Sequence, residues 1–162
     1  MRLLALSAAA LLASATTALA APAAVSVTLA PELQKKFDKT FGVREAELLT
    51  ADLRASVEKS VANRPAYDGA RIELVLTDAK PNRPTFKQLG DTPGLSFESF
   101  GIGGAAIEGR VVAADGKETS VSYSWFESDI RQARGNWTWS DAEWTFDRFA
   151  RKLARGHDLA RR

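Results

Sequence analysis

Hydrophobic and polar residues alternate in four short stretches of the chain. The stretches are 25–29, 72–76, 107–111 and 121–125. A period of two residues is typical of a strand that buries one face and leaves the other polar. The pattern therefore predicts four strands, each with one mainly apolar face.

The last two stretches form a predicted hairpin whose register follows from its loop. A three-residue loop at 114–116 pairs Ile107 with Tyr123 and Val111 with Thr119, which puts the apolar residues on one face. This loop class favours glycine at its last, left-handed position, and the loop ends in glycine. A two-residue turn would mix the faces, so we predict the three-residue loop.

Apolar residues recur at three and four positions in three other segments, which predicts helices at about 31–42, 43–63 and 140–155. Ser140 and Glu143 have the spacing of a capping box at the start of the last helix. Between the strands, the prolines, glycines and weak periodicity of 78–94 predict a long ordered loop that buries Phe86 and Leu89. The segment 95–113 predicts a strand bent at its glycines.

These elements predict a two-layer α+β sandwich. Its single sheet is mostly antiparallel, with about four strands and with helices on one face. One domain over 21–156 is expected, followed by a basic C-terminal tail at 157–162. The other sheet face would carry Ser, Thr, Glu and Arg, and would be either solvated or a docking surface.

The first twenty residues have the pattern of a secretory signal peptide. Arg2 supplies a positive start, 3–12 form a short apolar run, and Ala18 and Ala20 give the small-x-small cleavage pattern. We expect cleavage after Ala20 and a soluble periplasmic protein with no transmembrane segment; the alternative is an uncleaved membrane anchor.

The chain of 162 residues contains no cysteine and has a formal net charge of +2. The missing cysteine excludes lipid attachment through a cysteine, disulfides and thiolate chemistry. The small net charge gives no support to a polycation role, and nucleic acid is not an expected partner.

Classical catalytic equipment is sparse. The single histidine, His157, falls in the predicted tail, and no spacing of ligands predicts a metal or cofactor site. Glu98, Glu108, Glu127 and Asp129 lie in or near the predicted sheet, which leaves a carboxylate-dependent hydrolase open. No catalytic residue is assigned.

The loop 80–85 is the first candidate binding site. Two prolines stiffen this loop, and its two cations, Lys80 and Arg83, lie close together in sequence and could hold a carboxylate or a phosphate. Asn82 is a candidate in the same loop. The alternative is that Asn82 only fixes a turn and that the two cations are solvated.

The outward face of the last helix is the second candidate site. Arg148 and Arg151 lie on its basic side, and Trp144 lies one turn before Arg148. An indole beside cations could bind a sugar, an anionic lipid headgroup or an acidic envelope protein. The alternative is a solvated charged face, with Trp144 folded back onto Trp137 or Trp139.

The runs 80–85 (KPNRPT) and 99–105 (SFGIGGA) resemble small, uncharacterised exported proteins of proteobacteria, and the C-terminal half is similar to α+β domains of envelope lipoproteins. The resemblance implies an envelope location and an α+β fold, with no catalytic residues to transfer. The chain departs from the lipoproteins in lacking the lipidated cysteine.

Sequence and resemblance together predict a non-enzymatic periplasmic module that binds a ligand or an envelope partner. The alternatives are a carboxylate-dependent hydrolase and a peripheral binder of anionic lipid through the basic helix.

Overall fold

The computed structural model describes residues 23–156 and residue 159, apart from the side chains of 134 and 135. Four strands form one sheet in the order β1-β2-β3-β4. The strands are β1 (Ala24–Leu29), β2 (Arg71–Lys80), β3 (Gly104–Val112) and β4 (Glu118–Phe126). β1 runs parallel to β2, and the other two pairs are antiparallel.

Four helices accompany the sheet. They are α1 (Pro31–Lys36), α2 (Val43–Val61), α3 (Phe86–Asp91) and α4 (Ser140–Ala154). α1 continues into a π-helical turn at Phe37–Phe41, which ends at Gly42 with a positive φ of 106°. Short 3-10 turns cover Pro65–Tyr67 and Ile130–Gly135.

α2 and α4 pack on each other and cover the same face of the sheet, α2 over β1 and α4 over β3 and β4. Their apolar stripes, predicted from the sequence, are buried and meet the alternating apolar residues of the strands. The predicted α+β sandwich with a mostly antiparallel four-stranded sheet is confirmed.

The hairpin of β3 and β4 has the predicted register. Ile107 pairs with Tyr123, Val111 pairs with Thr119, and Gly116 in the loop has a φ of 85°. Gly109 lies where β3 runs beside β2, and a Cβ at this position would collide with the carbonyl oxygen of Glu73. A side chain at this position would therefore push the two strands apart.

The open face of the sheet carries pairs of opposite charge. Arg110 is the cross-strand partner of Glu73, and the two side chains form an ion pair of 2.8 Å. Arg71 donates a second hydrogen bond to Glu73, at 3.0 Å. These contacts, with Arg110 first, hold the pKa of Glu73 below its ordinary value. The charged groups described on this face thus form ion pairs with one another.

Three local predictions are wrong. The loop 78–94 contains helix α3, and Phe86 is 78% exposed instead of buried. β3 begins at Gly104, so 95–103 is irregular chain and not a strand. The capping box of α4 is absent, because the Ser140 hydroxyl accepts from the backbone N–H of Trp137, outside the helix.

The predicted signal peptide, its cleavage after Ala20, and most of the predicted tail lie outside the described residues. Within the tail, Leu159 is described: it is buried, and its carbonyl accepts a hydrogen bond of 2.6 Å from the N–H of Ser122. Over the described ranges, no helix is long and apolar enough to cross a membrane.

Candidate functional site

A buried polar network joins three loops at one end of the sheet. Asn82 is 1% exposed, and its side-chain amide donates to the carboxylate of Asp141 and to the carbonyl of Gly101. Its side-chain oxygen accepts from the N–H of Asp141 at 3.0 Å. The Asp141 carboxylate also accepts from the N–H of Gly103 at 2.9 Å and from Asn136 at 3.1 Å.

The backbone of Asn82 belongs to the same network. Its N–H donates to the carbonyl of Thr138 at 2.7 Å, and its carbonyl accepts from the N–H of Gly101 at 2.7 Å. Since the donors and acceptors of Asn82 are paired within the protein, this side chain fixes the loops to one another. Its side-chain partners lie 19 and 59 residues away, so these contacts join separate loops and do not fix a turn within 80–85.

Arg83 follows in sequence and ties two further segments together. Its guanidinium donates to the carbonyl of Asn136 and, at 2.9 Å, to the carbonyl of Phe97. These two carbonyls belong to loops 53 and 14 residues away along the chain. Arg83 therefore joins these two loops, since two of its N–H groups donate to their carbonyls.

Together these contacts shape a cleft of about 460 Å³. We call it the aromatic cleft, because three of its side chains are large, aromatic and strongly exposed: Phe86 at 78%, Phe97 at 65% and Trp137 at 82%. The rings of Phe86 and Phe97 meet edge to face, with centroids 6.0 Å apart. Among the side chains that the structure describes, Arg83, Glu45 and Glu98 are the charged groups of its lining.

The start of α3 is fixed by a capping box that the sequence analysis missed. The Thr85 hydroxyl accepts from the N–H of Gln88 at 3.3 Å, and the Gln88 side chain accepts from the N–H of Thr85 at 3.1 Å. Phe86 is the first residue of the helix that this box begins. The helix therefore starts with its aromatic side chain in the wall of the cleft.

Behind the cleft lies an aromatic cluster. Trp139 is buried and packs against Phe37 and Phe41, with ring centroids 5.9 and 5.6 Å away. Its indole N–H donates to the carboxylate of Glu45 at 2.6 Å. Glu45 lies in the first turn of α2, where a negative charge is favoured by the helix dipole. The Glu45 side chain is half-buried, and the hydrogen bond from the Trp139 indole fixes its carboxylate.

The structure separates the predicted cation pair of the 80–85 loop. Lys80 ends β2 and lines a different hollow of about 430 Å³, beside Lys36 and Asp78. Arg83 lines the aromatic cleft. Lys36 and Asp78 are themselves paired at 3.0 Å. The two predicted cations thus face different hollows.

Arg148, on the basic face of α4, is in contact with one indole of its own helix and one of β4. The guanidinium carbon of Arg148 lies 5.0 Å from the ring centre of Trp125 and 4.4 Å from that of Trp144. Trp144 packs on Trp125. The alternative stated above, in which Trp144 folds back onto Trp137 or Trp139, is therefore wrong. Arg151 lies further along and is exposed. Arg148 and Trp144 therefore fasten α4 to β4.

The four carboxyls considered for hydrolysis lie on different parts of the chain, and Glu108 lies in β3 opposite Ser122. Glu127 accepts from two neighbouring backbone N–H groups. Asp129 is bound by Arg131, which holds its pKa below the ordinary value. Glu98 lies in the aromatic cleft.

Another hollow, of about 420 Å³ between α2 and α4, is lined by Asp52, Glu143 and Asp147. Burial raises the pKa of Asp52, and burial followed by repulsion from Asp52 and Asp147 raises the pKa of Glu143. Across the described ranges, no group of three or more His, Cys, Asp or Glu residues could hold a metal ion.

The aromatic residues of the cleft were not singled out from the sequence. One signal was present for Phe86: it lies in the Pro- and Gly-rich segment 78–94, whose lack of periodicity indicates no helix or strand face that would bury it. For Trp137 no signal distinguishes it from Trp139, two residues away, which is buried.

No family model matches the chain, and a search of curated proteins finds no match. Among solved structures, the crystal structure of "a putative lipoprotein from Caulobacter crescentus" is similar at a TM-score of 0.30 and 13% identity. The match covers 81% of this chain and 82% of that one. Likeness at this level carries no argument about function, and the resemblance to envelope proteins stays a prediction.

Proposed function

We propose that the protein is a non-enzymatic binding module of the cell envelope and that the aromatic cleft is its ligand site. The observation that carries the proposal is the exposure of Phe86, Phe97 and Trp137 in one cleft. Soluble proteins rarely leave a contiguous apolar patch in water unless it binds something. Clefts of this volume with apolar walls and a few polar groups are typical of ligand sites.

The architecture of the loops supports the same proposal. The Asn82–Asp141 network and the hydrogen bonds of Arg83 hold the walls of the cleft through contacts within the protein itself. A site whose loops are already ordered loses little conformational entropy on binding. The free energy of binding is therefore reduced little by the cost of ordering the loops.

The structure gives less support to the two alternatives, which are lipid binding through the basic face of α4 and a carboxylate-dependent hydrolase. Arg148 is held between two indoles, so the basic face of α4 has a structural use. The carboxyls with raised pKa, Asp52 and Glu143, line a different hollow from the aromatic cleft. The carboxyls whose pKa is raised are therefore separate from the cleft that offers the apolar contact area.

The periplasmic location rests on the signal-peptide pattern of Met1–Ala20. Osmotic release of periplasmic contents from expressing bacteria should recover the protein, and mass spectrometry should find Ala21 at its N-terminus. Retention in the cytosol with Arg2 intact would contradict the export part of the proposal.

A neutral apolar dye, N-phenyl-1-naphthylamine, tests the ligand site. Its fluorescence should rise saturably with a one-to-one stoichiometry. Trp137→Ala and Phe86→Ala should each weaken binding about tenfold, because an aromatic anchor is worth at least about 1.4 kcal/mol. Trp144→Ala is the matched control, since Trp144 is 54% exposed but lies on α4 beside Trp125. Equal losses in all three variants, or no saturable binding, would contradict the proposal.

A further inference from the structure

We infer that the ligand of the aromatic cleft is a cation with an apolar body, such as a basic residue next to an aromatic one in a peptide. This inference rests on the proposed function and specifies the chemistry of that site. Three features of the cleft carry it: the placement of its carboxylates, the occupation of its guanidinium, and the exposure of its rings.

The first feature is the pair of carboxylates in the lining. Glu45 is half-buried and oriented by the hydrogen bond from the Trp139 indole, and Glu98 is exposed on the loop that carries Phe97. One carboxylate therefore lies toward the interior and one lies nearer to solvent. A ligand with two cationic groups, or one that passes between them, would meet a hydrogen-bond acceptor at each.

The second feature is the use of Arg83. Its guanidinium donates to the carbonyls of Asn136 and Phe97, so this cation is engaged in joining the walls. Among the side chains that the structure describes, the lining carries two carboxylates against one guanidinium. Charge complementarity thus favours a positive ligand and disfavours a negative one.

The third feature is the exposed aromatic surface. Faces of Trp and Phe rings attract ammonium and guanidinium groups through the ring quadrupole, with Trp the strongest. Arg148 shows this chemistry within the same protein, where it lies over two indoles. Trp137, Phe86 and Phe97 offer rings of the same kind to a ligand, since more than half of each side chain is accessible.

Three acetylated and amidated tripeptides with a central phenylalanine test the inference: Lys-Phe-Lys, Gln-Phe-Gln and Glu-Phe-Glu. By calorimetry, the basic peptide should bind about fivefold more tightly than the neutral one, and the acidic peptide should bind weakest. An exposed carboxylate such as that of Glu98 contributes on the order of a two- to fivefold effect. The preference should shrink as salt rises from 20 mM to 500 mM, because the charges are then screened.

Substitution of the carboxylates identifies the source of the preference. Glu45→Gln with Glu98→Gln should abolish the difference in affinity between the basic and the neutral peptide. The glutamine at 45 can still accept from the Trp139 indole. Glu47→Gln, on the same helix and exposed, is the matched control and should change nothing.

Benzyltrimethylammonium distinguishes a small-molecule ligand from a polypeptide one. Binding comparable to that of the basic peptide supports a small organic cation, and much weaker binding supports a peptide segment. Equal affinity for the three peptides would overturn the inference, and so would selective binding of tri-N-acetylchitotriose, a neutral sugar. Saturable dye binding in the same protein would then leave the proposed function standing, whereas loss of dye binding would remove both.

Discussion

Removal of the Asn82 side chain tests whether the buried network holds the loops of the cleft together. In Asn82→Ala, three hydrogen bonds disappear: two to Asp141 and one to the carbonyl of Gly101. The site is closed to solvent, since Asn82 is 1% exposed, so bulk water cannot replace the lost partners.

The expected cost follows from the kind of each bond. The bond to the Asp141 carboxylate is charge-assisted and worth about 1.5–3 kcal/mol, and each of the other two is worth about 1 kcal/mol. We therefore expect the free energy of unfolding to fall by about 4 kcal/mol. This is a large share of the roughly 5–15 kcal/mol that stabilises a domain.

Urea unfolding followed by circular dichroism measures this loss. With a slope of about 2 kcal/mol per molar urea, the midpoint should fall by about 2 M. Asn63→Ala is the matched control, because Asn63 is exposed in the turn after α2 and its loss should cost less than about 0.5 kcal/mol. A fall below about 1 kcal/mol for Asn82→Ala would refute the view that this network organises the loops.

Three further predictions concern the rest of the molecule. Gly109→Ala should cost about 3 kcal/mol in the same urea assay, because its Cβ has no room against β2, whereas Gly90→Ala, in open space on α3, should be neutral or slightly stabilising. Arg148→Ala should lower the free energy of unfolding by about 1–2 kcal/mol, because two cation–π contacts are lost. An unchanged value would mean that the contacts of Arg148 with the two indoles do not stabilise the fold. The raised pKa of Glu143 means that the folded state binds its proton more tightly than the unfolded state, so Glu143→Gln should stabilise the protein at pH 7 by about 0.3–0.5 kcal/mol. That gain should vanish below a pH of about 4, and a gain that persists there would contradict this reading.

The elements set by local pattern were predictable from the sequence. The buried stripes of α2 and α4 and the alternation in the strands gave the layers, because each pattern fixes which face must be covered. The register of the β3–β4 hairpin followed from one glycine, Gly116, and from the requirement that Ile107 and Tyr123 share a face.

The candidate site was harder to predict because long-range contacts build it. Asn82 and Asp141 are 59 residues apart, and Glu45 and Trp139 are 94 apart. Nothing in the local sequence signals either pair. The exposure of Phe86 went against the ordinary expectation that a large apolar side chain is buried, and it is at such departures that binding surfaces are found.

Nuclear magnetic resonance of the four indole N–H groups is the most direct test of the central claim that a cationic apolar ligand binds in the aromatic cleft. Titration with the Lys-Phe-Lys peptide should shift the signals of Trp137, in the cleft wall, and of Trp139, whose N–H donates to Glu45. The signals of Trp125 and Trp144, which flank Arg148, should stay in place. Shifts confined to Trp125 and Trp144 would place binding on the basic face of α4 and contradict the account, as would no shift at any of the four.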